Sequence, residues 1–211
     1  MVLTGKNSEP DQWIQPPERP GLTGVERFAG IDASVTDFWR FAMSDLRMNN
    51  ARGYLAEFLV ARALGLADVR RVEWDAYDLL VDDRIRVEVK SSAHLQLWEQ
   101  RKLSRLEFSG LRGTRYDPRH GDDPNGRQLN AHVYVFGVQT STDHDAYDPL
   151  DIRKWEFFVL GKNDLEEGHV GQSLGFSTLT RLSRGATPWD ELRSRVFEKA
   201  EGQIVQTAPW W

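Results

Sequence analysis

Between residues 78 and 90 the chain alternates so regularly that only one kind of hairpin buries its apolar side. Leu79, Val81, Ile85, Val87 and Val89 recur with the period of two that marks a half-buried strand. For all five to share a face, the connecting loop must hold an odd number of residues, for instance Asp82-Asp83-Arg84. Leu79 then stands opposite Val87, and Asp78 opposite Glu88 on the other face, at the roughly 5 Å spacing of cross-strand neighbours. Lys90, two residues past Glu88, points the same way. A two-residue turn would put the two acids on opposite faces. Against this register, Arg84 is neither the Gly nor the Asn that the last position of a three-residue loop favours.

Two carboxylates opposed on a sheet destabilise it unless something compensates. A divalent cation is the simplest remedy, and Lys90 is a partial one. The plainer alternative is a solvated hairpin face on which Arg86, Glu88 and Lys90 are ordinary surface charges. Glu57 shifts the balance. It lies on a predicted helix over about 51–64, where its neighbours one and two turns away are Gly53, Tyr54, Val60, Ala61 and Leu64. A carboxylate inside an apolar stripe needs a partner, for which a metal, Lys90 or Arg52 is available. Gly53 would let this helix approach the sheet closely. Three acids and one amine of this kind suit Mg²⁺-dependent cutting of a phosphodiester, in which the acids hold a hard cation and the lysine steadies charge.

Around this segment the pattern predicts one mixed α/β domain. Residues 1–32 are rich in Pro, Gly and polar side chains and read as a loosely ordered arm, with Trp13 and Ile14 as pins. Asp32 or Ser34 can cap a first helix running to about Met48, with Val35, Phe38, Trp39, Phe41, Ala42 and Leu46 on its apolar side. The second helix stops near Gly65. Strands are expected at about 69–74, 78–81, 85–90, 132–139 and 155–160, with a helix over 93–101. Residues 109–130 show no period. Thr187-Pro188 reads as an N-cap and first helical residue opening a helix to about Lys199. Residues 33–211 form a single domain on this reading, with Trp74, Trp98 and Trp155 in its packing and Trp210-Trp211 as a docking or partner tag.

Composition narrows the chemistry. There is no cysteine, which excludes disulfides and thiolate zinc sites. The first twenty residues lack an apolar stretch of signal-peptide length and no run approaches a membrane span, so a soluble cytoplasmic protein is expected. The net charge is −5, yet residues 84–120 carry nine Lys/Arg against four acids. A basic middle in an acidic chain is compatible with a phosphate-facing cleft and equally with a solvated surface. The His/Asp runs at 120–123 and 143–145 match no metal-loop spacing, and neither a Ser–His triad nor a Walker glycine pattern occurs.

Gly53-Tyr54-Leu55-Ala56-Glu57, then Asp78, then Glu88-Val89-Lys90-Ser91-Ser92 resembles the PD-(D/E)XK nuclease superfamily. The likeness spans about residues 33–160, with the sharp motif confined to 53–92. Tyr77 stands where the motif's proline would be. Asp75 competes with Asp78, but the residue ten positions after Asp75 is Ile85, which cannot ligate. The resemblance implies a restriction-endonuclease-like core, a central mixed sheet flanked by helices. It implies that Asp78, Glu88 and the Val89 carbonyl bind Mg²⁺, with Mn²⁺ as a substitute, and that Glu57 binds a second ion or orients a water. Lys90 would position the attacking water or stabilise the transition state.

The resulting expectation is a metal-dependent DNA endonuclease of restriction, phage defence or repair, with Glu57, Asp78, Glu88 and Lys90 as its catalytic residues. Gln96, Arg101, Lys102, Arg105, Arg112 and Arg115 would contact DNA, with Arg119 as a further candidate, and a homodimer would serve for cutting both strands. Two other readings stay open: a nuclease-like module that binds nucleic acid or protein without cutting, and an unrelated α/β domain with a surface charge cluster.

Overall fold

The computed structural model describes residues 13–14, 17, 19–67, 69–71 and 76–203. Trp74, Asp75, the second half of the strand expected over 69–74, and Trp210-Trp211 lie outside them, and residues 69–71 form no strand. The chain divides into two units, Met1–Ala42 and Met43–Trp211. In the first, helix α1 (Val35–Met43) begins where expected. Ser34 Oγ accepts the Asp37 N–H at 3.3 Å while the Asp37 carboxylate takes the Ser34 N–H at 2.8 Å, a reciprocal cap. The helix ends five residues earlier than predicted, because Asp45 captures the Arg47 N–H and guanidinium and turns the chain. Its expected apolar side is largely outward: only Val35 is buried, and Phe38, Trp39 and Phe41 are exposed.

The second unit opens with α2 (Asn49–Ala63). Gly65, at φ +80°, closes it: the Gly65 N–H reaches the Arg62 carbonyl and the Leu66 N–H the Ala61 carbonyl, a paired left-handed ending. Next come β1 (Leu79–Val81), β2 (Ile85–Ala93), β3 (Glu107–Ser109), β4 (Tyr116–Asp117) and β5 (Gly121–Asp122). The chain continues through β6 (Val133–Gln139), β7 (Trp155–Gly161), α3 (Lys162–Glu167), β8 (Ser173–Gly175), α4 (Phe176–Ser183) and α5 (Leu192–Ala200). The central sheet has the order β1-β2-β6-β7. β1/β2 and β6/β7 are antiparallel and β2/β6 is parallel, so the sheet is mixed.

Every residue of β6 is buried, as a central strand covered on both faces requires. On one face Ala56 and Val60 of α2, Leu64 just past its end and Val196 of α5 pack on Leu79, Val81, Ile85, Val87 and Val133. On the other, Tyr134, Phe136 and Phe158 meet Phe108, Leu165 and Leu179. Among the described residues no helix is long and apolar enough to cross a membrane.

Several sequence expectations give way here. No helix forms over 93–101: β2 continues beside β6 as far as Ala93 opposite Gln139, and polar side chains then take over the backbone partners a helix would need. Thr187 pairs with Phe157 in a bridge and Pro188 caps a short 3-10 turn, so α5 starts at Leu192. An added Cβ at Gly53 would meet nothing within 4 Å, so that glycine is not what lets α2 approach the sheet.

Candidate metal centre

The hairpin adopts the register with the odd loop. Leu79 pairs with Val87 and Val81 with Ile85, and the Asp78 N–H donates to the Val87 carbonyl at 3.1 Å. Arg84 is not the residue that turns the loop: Asp82 and Asp83 take the left-handed conformation at φ 49° and 53°, which Asp tolerates better than most side chains. The Arg84 N–H then closes onto the Val81 carbonyl. The apolar five are buried. Asp78, Glu88 and Lys90 are half-buried on the opposite side.

Each acid already has one partner. Asp78 Oδ2 accepts the Val89 N–H at 2.7 Å, and Glu88 Oε1 lies 2.5 Å from Lys90 Nζ. Asp78 and Glu88 line one cavity of about 210 Å³, whose far wall includes Gly113, Thr114, Asn130 and Tyr134. Burial pushes both carboxyls above the usual range, with Lys90 opposing; for Asp78 the Val89 N–H also opposes, and for Glu88 the charge of Asp78 adds to the rise. Asp78 also borders a second cavity of about 210 Å³, shared with Tyr54, Glu57, Phe58 and Arg71.

Glu57 is pushed up to about 7, by burial first and then by Asp78, with Arg71 pulling the other way and Glu88 adding to the rise. Its partner is neither Lys90 nor Arg52. Arg71 Nε sits 2.8 Å from Glu57 Oε2, with its guanidinium 4.7 Å from the centre of the Tyr54 ring. Arg52 is buried instead against the Asn49 side chain and the Arg47 carbonyl. Arg71 went unnoticed in the sequence because its segment read as a strand.

The donors offered are oxygens. The Val87 carbonyl faces Asp78, whereas the Arg86 carbonyl accepts the His132 N–H on the β6 side. Main-chain groups alternate between the two edges of a strand, so the Val89 carbonyl lies on the Asp78 edge with its N–H. Two carboxylates and a carbonyl suit a hard cation that keeps several waters, as Mg²⁺ does. Among the described residues no three His, Cys, Asp or Glu side chains form a ready-made ligand group, so protein oxygens alone would not complete the shell.

The other wall of the first cavity was not legible in the sequence. Tyr134 is the parallel neighbour of Glu88, and its hydroxyl, deeply buried, is shifted upward by burial. Asn130 Nδ2 donates to the Gly113 carbonyl at 3.0 Å, leaving a buried Oδ1 without a partner.

The expected DNA contacts separate into two groups. Arg112 donates to the Val170 carbonyl, and Arg115 holds the fully buried Asp123 carboxylate at 2.5 Å, so both are engaged within the protein. Gln96 lies in a turn, its amide on the Ala93 carbonyl. Arg119 is exposed. Arg101, Lys102 and Arg105 are exposed and form no side-chain ion pair among the described residues. No family model, curated protein or solved structure matches this chain.

Proposed function

We propose that the chain is a Mg²⁺-dependent endodeoxyribonuclease that hydrolyses DNA phosphodiesters at the Asp78/Glu88/Lys90 cluster. The observation that carries this reading is that Asp78 and Glu88, at the open end of the hairpin, line one cavity, with Lys90 at 2.5 Å from Glu88. Two half-buried carboxylates in one cavity have a chemical purpose when a cation sits between them. Bound there, Mg²⁺ would polarise the phosphate and lower the pKa of a water. Asp78, Glu88 and the Val89 carbonyl would hold it. Lys90 would steady the negative charge developing on the phosphate or orient the attacking water. Glu57, on the far side of Asp78, would orient a water or hold a second ion once Arg71 releases it.

A cytoplasmic site of action in restriction, phage defence or repair goes with this reading. Cutting both strands of a duplex would take two such sites and hence a homodimer. A second reading, a nuclease-like module that binds nucleic acid or protein without cutting, draws on Arg71 occupying Glu57 and on the net charge of −5. Incubation of labelled linear, nicked and single-stranded DNA with Mg²⁺, Mn²⁺ or EDTA separates the two. Metal-dependent cleavage supports the nuclease; binding without cleavage under every condition supports the module.

A further inference from the structure

The chain leaves β2 just past the acid cluster in a loop, His94–Ser104, that is fixed although it has no regular structure. The Ser104 N–H donates to the His94 carbonyl at 2.9 Å and closes it. Gln100 sits inside: its Nε2 donates to the His94 carbonyl and to Ser104 Oγ at 3.2 and 2.9 Å, and its Oε1 accepts the Gln96 N–H at 2.6 Å. Leu95 is buried and anchors the base. The same framework turns Leu97, Trp98 and Leu103 outward, and Trp98 is 59% exposed. Trp98 is therefore not part of the packing, as its place beside a predicted helix suggested.

Holding an indole and two leucines in water is unfavourable until something covers them. The loop's charge says what covers them. Arg101, Lys102 and Arg105 are exposed, their side chains have no partner among the described residues, and Glu99 is the one acid between His94 and Arg105. Exposed apolar side chains interleaved along one closed loop with unpaired cations fit a polymer that alternates π-faces with phosphates. An intact duplex hides those faces in its stack, whereas a single strand, nick or gap presents them.

We propose that this loop is a platform for an unstacked base, with Trp98 stacking on the base while Arg101, Lys102 and Arg105 neutralise the phosphates around it. The substrate class this assigns is DNA with single-stranded character. The inference rests on the nuclease reading for its link to cleavage, and on the loop alone for binding. His94 lies four residues past Lys90, about 13 Å along the strand at ~3.3 Å per residue.

The test is fluorescence anisotropy of labelled single-stranded, gapped and intact duplex DNA with the full chain in Ca²⁺, alongside cleavage in Mg²⁺. Trp98→Ala should weaken binding to single-stranded and gapped DNA about ten-fold, from the usual worth of base–aromatic stacking. It should leave binding to intact duplex within about two-fold, and raise KM with kcat unchanged. Trp98→Phe, which keeps a ring face, should restore most of the loss. Arg101→Ala with Lys102→Ala should weaken all substrates and reduce the salt slope by about two. If Trp98→Ala binds and cleaves every substrate like wild type, the platform is refuted while the nuclease stands. If wild type shows the Trp98-dependent preference without any cleavage, the platform stands and the nuclease reading fails. If wild type binds no DNA, both fall, and a protein partner becomes the occupant to seek.

Discussion

Replacing Glu57 by Gln should stabilise the metal-free protein at alkaline pH and leave it nearly unchanged at acid pH. In the folded chain this carboxyl titrates near 7, against an ordinary value of 4.5, because burial and the neighbouring Asp78 outweigh the Arg71 contact. A carboxyl with a raised folded value binds its proton more tightly folded than unfolded. Its ionisation therefore costs stability as pH rises from 4.5 to 7, and the cost is complete above 7. At 1.36 kcal/mol per pH unit of difference, the full effect is roughly 3 kcal/mol. The Glu57 side chain is 14% exposed, so solvent screening removes little of it. Urea unfolding of wild type and Glu57→Gln without divalent ions, at pH 4.5 and pH 8, measures this directly. The difference should grow from near zero to about 2–3 kcal/mol in favour of the variant. A difference independent of pH, or a variant less stable than wild type at pH 8, would refute the reasoning and mark Glu57–Arg71 as an ordinary stabilising ion pair.

Other residues give further expectations. His132 is pushed down to about 4, chiefly by burial and then by the charges of Arg86 and Lys162, and its ring nitrogens face the Arg86 N–H and guanidinium at 3.1 and 3.0 Å. NMR of its imidazole should show it neutral at pH 5, with its contribution to stability present above 6.5 and lost as pH falls through 4; a midpoint near 6.5 contradicts this. Arg115→Ala should lower stability in thermal or urea unfolding, because it removes the only cation on the Asp123 carboxylate among the described residues and leaves it to the Asn125 and Gln128 donors. A loss of DNA binding with unchanged stability would instead make Arg115 a surface contact. Asp83→Gly should stabilise the hairpin by ~0.5 kcal/mol, since Asp83 holds φ 53°. A lower melting temperature would show that the turn depends on the Asp side chain.

What could be read without coordinates was the part governed by short periods. The five apolar positions from Leu79 to Val89 require an odd loop, and the β1/β2 register has one, with Leu79 opposite Val87 as expected. Gly65 marks the end of α2 because few other residues accept its conformation. Partners that arrive from elsewhere in the chain were not legible. Glu57 plainly needed a cation, but nothing local singles out Arg71 over Arg52. Tyr134 joins the cavity only through the parallel β2/β6 pairing, and Asn130 only through the path of the 110–130 loop. The helix expected over 93–101 failed for a different reason: Gln100 makes bonds in a closed loop that compete with a helix and leave no periodic trace. The same failure concealed that Trp98 faces solvent.

If Asp78, Glu88 and Lys90 cut DNA, Mg²⁺-dependent cleavage measured for wild type, Asp78→Ala and Lys90→Ala shows it. Circular dichroism and anisotropy should accompany it, to establish that the variants fold and bind. Wild type should cleave, and both variants should lose at least about a hundred-fold in rate with binding retained. Cleavage that persists in both variants, or a folded wild type that binds DNA and never cuts it, would contradict it.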